Sequence, residues 1–131
     1  MKKVLFVCVE YSCRSQMAEA FAIMHGRGLW EAYSAGSKAS GIVNKKAILS
    51  MKAAGYDMGT HKSKSLEAIP VLEYDYAITM GCGDACPFVR ARQRHDWTIP
   101  DPKGMDAEKF NEVRNLIEKR VLSLIDEITT S

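Results

Sequence analysis

The sequence predicts an α/β fold: a three-layer arrangement in which a four-stranded parallel sheet, order 2-1-3-4, carries helices on both faces. Three observations predict it. Apolar runs of strand length alternate with stretches of helical periodicity along the whole chain, the pattern of βαβ units and therefore of a parallel sheet. Glycines and prolines fall between these stretches rather than inside them. The 131 residues suit one compact domain, residues 1–131, large enough to bury a core.

Strand 1 is the run Lys3 to Val7. Met17, Ala20, Phe21 and Met24 then share one helical face, and Gly26 and Gly28 end that helix. Trp30 to Ser34 forms the second strand, closed by Gly36. The second helix starts at Asn44, a favourable N-cap, and continues through Ala47, Ile48, Met51 and Ala54 to a stop at Gly55. Thr60 to Pro70 holds at most a short helix. Tyr74 to Met80 is the third strand, and Arg94 to Ile99 a weaker fourth, broken by Pro100 and Pro102. The last helix is the clearest. Phe110, Val113, Ile117, Val121, Leu124 and Ile128 recur at helical spacing, with Asp106 and Glu108 in its first turn.

Composition removes several function classes. With 47% hydrophobic and 26% charged residues the chain is an ordinary globular one. No apolar run reaches the length of a membrane span, and the stretch after Lys2-Lys3 is too short for a signal peptide, so the cytoplasm is the expected compartment. A net charge of +2 with interspersed signs gives no nucleic-acid surface. The cluster Arg90, Arg92 and Arg94 reads as the solvated edge of a loop. A monomer is expected. Four cysteines in a reducing compartment point to thiol chemistry or metal rather than structural disulfides.

The chemistry concentrates at Cys8-Val9-Glu10-Tyr11-Ser12-Cys13-Arg14-Ser15, between strand 1 and the first helix. A helix N-terminus offers free backbone N–H groups and a positive dipole end, and Arg14 adds a planar fork of donors, which together suit a tetrahedral oxyanion. The same field stabilises a Cys8 thiolate, since cysteines in such settings titrate at roughly 3.5–7.5 instead of about 8.5. The Ser15 hydroxyl is a further donor to that thiolate. Cys13, beside Arg14, reads as structural. Ligands of open parallel sheets bind beyond the carboxyl ends of the strands, where the strand order reverses. Cys8 follows strand 1, Cys82 strand 3 and Asp101 strand 4, so all three belong on that edge. Cys82 and Cys86 are candidates for thiol chemistry, with unreactive free thiols or zinc ligands alongside Cys8, Cys13 or His95 as the alternatives. Neither pair has the two-residue spacing of structural zinc sites. His25 and His61 read as surface histidines.

Cys8 to Ser15, the following Gln16-Met17-Ala18-Glu19, the Ser34-Ala35-Gly36 turn and Asp101-Pro102 together resemble the low-molecular-weight protein tyrosine phosphatase superfamily over essentially the whole chain. Ser12 to Glu19 and Cys82-Gly83-Asp84-Ala85-Cys86-Pro87 resemble its arsenate reductase branch. The resemblance implies that Cys8 is the nucleophile and that Val9 to Ser15 bind the oxyanion, with Arg14 as its charged partner. It implies that Asp101 is the general acid, and that Cys82 and Cys86 form a thiol–disulfide relay converting arsenate to arsenite. No bound cofactor or metal is implied; the reductant is thioredoxin or a low-molecular-weight thiol. Glu10-Tyr11 stands where the family usually has Gly-Asn, and Lys103-Gly104 where the tyrosine phosphatases usually have aromatic residues. The rival readings are a phosphomonoester hydrolase using Cys8, Arg14 and Asp101, and a non-enzymatic redox or metal-responsive module.

Overall fold

A computed structural model describes residues 2–10, 13–38, 45–58, 73–80, 91–100 and 105–130. Four parallel strands, β1 (Lys2–Glu10), β2 (Trp30–Lys38), β3 (Tyr74–Thr79) and β4 (Ala91–Asp96), pair in the order β2-β1-β3-β4. With them go helices α1 (Cys13–His25), α2 (Lys45–Ala53) and α3 (Ala107–Thr130). The expected strand order is the observed one.

β1 lies at the centre because Val4 to Val7 are apolar on both faces, as a strand covered twice must be. Val4 and Phe6 enter the main core with residues of all three helices, whereas Leu5 and Val7 join Ala35 and Tyr74 in a smaller cluster on the other face. The three described helices thus all serve one core, while Tyr33 and Ala91 pack against the smaller cluster. Phe6 also meets the Trp97 ring at 5.9 Å between centroids.

Three strands have bounds that differ from the sequence expectation by more than one residue. β1 continues past Val7 to Glu10 and β2 past Ser34 to Lys38, because the two strands sustain a parallel register that pairs Cys8 with Gly36 and Glu10 with Lys38. A glycine read as a stop is therefore a strand residue. β4 begins at Ala91, not Arg94, and the apolar Trp97 and Ile99 lie beyond its end. The arginine cluster is thus partly strand: Arg92 and Arg94 stand exposed on the edge of the sheet, where charge discourages pairing with another chain.

α1 differs in kind. The spacing predicts one buried face, yet every residue from Arg14 to Ala22 is buried, because the helix packs against β1, β2, α2 and α3 together. Its end is clamped. The Trp30 indole N–H donates to the Ala22 carbonyl at 2.9 Å, and Gly26 leaves the room, since a Cβ there would meet Trp30 Nε1 and stand 2.8 Å from that carbonyl. Gly26→Ala should therefore cost about 1–3 kcal/mol through overpacking. Urea denaturation tests this, and an unchanged midpoint would remove the clamp as a source of stability. α2 ends as expected at Gly55, whose φ of 97° closes a motif in which Tyr56 N–H donates to the Met51 carbonyl at 2.9 Å.

Candidate active site

The strand-to-helix passage that carries Cys8 lies on the central strand. β1 runs to Glu10 and α1 starts at Cys13, so only two residues separate a strand end from a helix N-terminus, where backbone N–H groups lack intrahelical acceptors. Of the predicted anion-binding residues, Val9 and Glu10 belong to β1 and Cys13, Arg14 and Ser15 to the first turn of α1. Tyr11, Ser12, Cys82, Cys86 and Asp101 lie outside the described residues.

Arg14 organises what is described. It is 7% exposed, and its Nη1 donates to the Met80 carbonyl at 2.5 Å and to the Ile99 carbonyl at 2.8 Å. Both acceptors follow strand ends on the carboxyl edge of the sheet: Met80 comes directly after β3, and Ile99 shortly after β4. Those ends are in turn held by Met80 N–H to the Val7 carbonyl at 3.0 Å and Trp97 N–H to the Thr79 carbonyl at 2.8 Å. A guanidinium has five N–H donors. With both Nη1 hydrogens committed, the parallel Nε–H and Nη2–H pair is the edge that matches an oxyanion in bidentate fashion. Met80 directly precedes the Gly81-Cys82 segment, and Ile99 stands two residues before Asp101. The guanidinium therefore binds the roots of both.

The start of α1 is unusually polar for a buried element: Ser15 and Gln16 are fully buried and Glu19 nearly so. Ser15 Oγ lies 3.4 Å from the Ala35 carbonyl. Ser34 Oγ is buried without a hydrogen-bond partner among the described residues. Tyr56 has its phenol pushed up, first by burial and then by the negative charges of Glu19 and Asp57. The buried character of Gln16 and Glu19 has no sequence signal, because polar residues in the first two turns of a helix normally face water. Among the described residues no cluster of three or more His, Cys, Asp or Glu is arranged to hold a metal ion, and no helix is long and apolar enough to cross a membrane.

Residues 3–131 match the family model for low molecular weight phosphotyrosine protein phosphatase. The chain belongs to that family. Within it, the chain is 39% identical over 132 residues to a glutaredoxin arsenate reductase of Synechocystis, an alignment covering 98% of this chain and all of the relative. A solved structure of an arsenate reductase in the phosphate-binding state superposes with a TM-score of 0.88 at 40% identity, over 98% of this chain and 99% of that one. A thioredoxin-dependent arsenate reductase of Corynebacterium glutamicum superposes with a TM-score of 0.79 at 30% identity, over 99% of this chain and 63% of its own. The resemblance read from Cys8 to Glu19 is thus a family membership.

Proposed function

We propose that this chain is an arsenate reductase. The observation that carries the reading is Arg14, whose guanidinium ties the roots of the Cys82 and Asp101 segments to the helix N-terminus that follows the Cys8 strand. The reductase names of its relatives at 39–40% identity support the choice of reaction.

In the proposed cycle arsenate sits against the N–H groups of residues 9–15 and the free edge of Arg14. The Cys8 thiolate attacks arsenic, and a hydroxyl leaves as water with the proton of Asp101. The Cys82 thiolate then attacks the Cys8 sulfur. The Cys8–arsenic bond breaks with its electron pair remaining on arsenic, which departs as arsenite, and a Cys8–Cys82 disulfide is left. Attack of Cys86 on Cys82 expels the Cys8 thiolate and leaves a Cys82–Cys86 disulfide, which thioredoxin, glutaredoxin or a low-molecular-weight thiol reduces with two electrons. No bound cofactor takes part. The family match relates the chain to a second reading, phosphomonoester hydrolysis, at the level of the superfamily alone; that reaction would need Cys8, Arg14 and Asp101.

Arsenate-dependent NADPH oxidation, coupled to thioredoxin or to glutaredoxin and glutathione with their reductases and run beside p-nitrophenyl phosphate hydrolysis, tests the proposal. Phosphate hydrolysis without arsenate turnover under every reductant would overturn it. The relay has its own signature. Cys82→Ser should stall with arsenic on Cys8, whereas Cys86→Ser should accumulate a Cys8–Cys82 disulfide after one turnover, as peptide mapping will show. Both variants should hydrolyse aryl phosphate within a few-fold of wild type. Normal cycling of Cys86→Ser with thioredoxin would replace the relay by attack of an external thiol on the Cys8–Cys82 bond.

A further inference from the structure

Two strand ends on the carboxyl edge of the sheet are joined at Thr79. This residue closes β3 and stands opposite Asp96, the last residue of β4, in the parallel register. The two strands are tied there twice. Trp97 N–H donates to the Thr79 carbonyl at 2.8 Å, and Thr79 Oγ1, which also lies 3.4 Å from the His95 carbonyl, donates to Asp96 Oδ1 at 2.7 Å. A hydroxyl has a single proton to give, so the shorter contact takes it.

This clip lies between the two carbonyls that Arg14 holds. Met80 directly follows Thr79, and Ile99 comes shortly after Asp96 and Trp97. Together with the Arg14 bonds the contacts close a small ring, which runs from the guanidinium to Met80 and Thr79, across to Asp96, and on through Trp97 to Ile99 and the guanidinium again. Packing holds the ring from the core side, where Met80, Trp97 and Ile99 are buried. Asp96 and Thr98 are exposed, and on that outer side the Thr79 hydroxyl makes the tie.

A guanidinium is planar and rigid. Both Nη1 hydrogens lie in its plane, so the two carbonyls that accept them set how that plane is turned and therefore where the Nε–H and Nη2–H edge points. A shift of one carbonyl against the other turns the edge. We propose that Thr79 is a positioning residue for the oxyanion: its bond to Asp96 fixes the spacing of the Met80 and Ile99 carbonyls and, through them, the aim of Arg14. The proposal rests on the reading of Arg14 as the charged partner of the anion. Thr79 touches no anion in this scheme.

Calorimetric titration of the reduced protein with inorganic phosphate tests this, and it reads the anion site whichever reaction follows. Thr79→Val keeps the β-branched shape and removes only the hydroxyl. It should weaken phosphate binding about two- to fivefold, the effect of one lost hydrogen bond. Thr79→Ser retains the hydroxyl and should bind phosphate as wild type does. Arg14→Lys should weaken binding more, and in that background Thr79→Val should add nothing further, because an ammonium has no plane to aim. Wild-type affinity in Thr79→Val, a loss in Thr79→Ser as large as that in Thr79→Val, or an equal loss in both backgrounds would overturn the proposal while leaving Arg14 at the site. Unchanged phosphate affinity in Arg14→Lys would instead overturn the reading of Arg14, and the role of Thr79 with it.

Discussion

Cys8→Ser should abolish arsenate reduction and aryl-phosphate hydrolysis together while the unfolding midpoint stays close to that of wild type. A serine hydroxyl remains protonated in a field that would deprotonate a thiol, so the variant keeps the shape of the site and loses its nucleophile. Both reactions are then blocked at a step they share, before any electron is transferred. Parallel assays of the two activities with a urea melt make the measurement. Comparable turnover by the serine variant would take Cys8 out of the mechanism.

Arg14→Lys should be almost as severe, and unlike Cys8→Ser it should also weaken the fold. An ammonium is a point charge on a flexible stem and cannot present a bidentate edge to an oxyanion while donating to two carbonyls from different strand ends. Loss of a charge-stabilising donor from a site of this kind costs about 10²–10³ in rate. A carbonyl left without its donor in a buried setting costs about 1–3 kcal/mol in stability. Steady-state rates and a urea melt on the same variant separate the two effects. Full stability with lost activity would show that the carbonyl ties are incidental, and full activity would remove Arg14 from the oxyanion site.

The parts of this architecture legible in the sequence are those where one local pattern decides the outcome. β1 announces itself because Val4 to Val7 are apolar without a break, and α3 because its buried residues recur at helical spacing over the whole helix. Boundaries set by a partner are not legible in this way. β1 and β2 prolong each other through the Cys8–Gly36 and Glu10–Lys38 register, a cooperative effect that neither segment carries alone. The start of β4 is hidden for the opposite reason: Arg92 and Gln93 are exposed polar residues, and only hydrogen bonding to β3 makes them strand.

The candidate site divides along the same line. Arg14 is proposed as an anion partner from its place in the Cys8 to Ser15 motif, but its two carbonyl acceptors are 66 and 85 residues away in sequence and follow only from the sheet order.

Because all four strands run parallel, the sheet has two unlike ends, and the chain's two tryptophans are divided between them. Trp30 opens β2 opposite Lys2, at the end remote from Arg14. Trp97 follows β4, two residues before the carbonyl that Arg14 holds, with its ring against Phe6. Both indoles are buried, so the intrinsic emission of the protein is the sum of two local signals that differ in location rather than in solvent contact. A Trp30→Phe variant isolates the indole beside the site, and a Trp97→Phe variant isolates one that reports on the far end of the molecule. Ligand binding and global unfolding thereby become optically separable without an added dye.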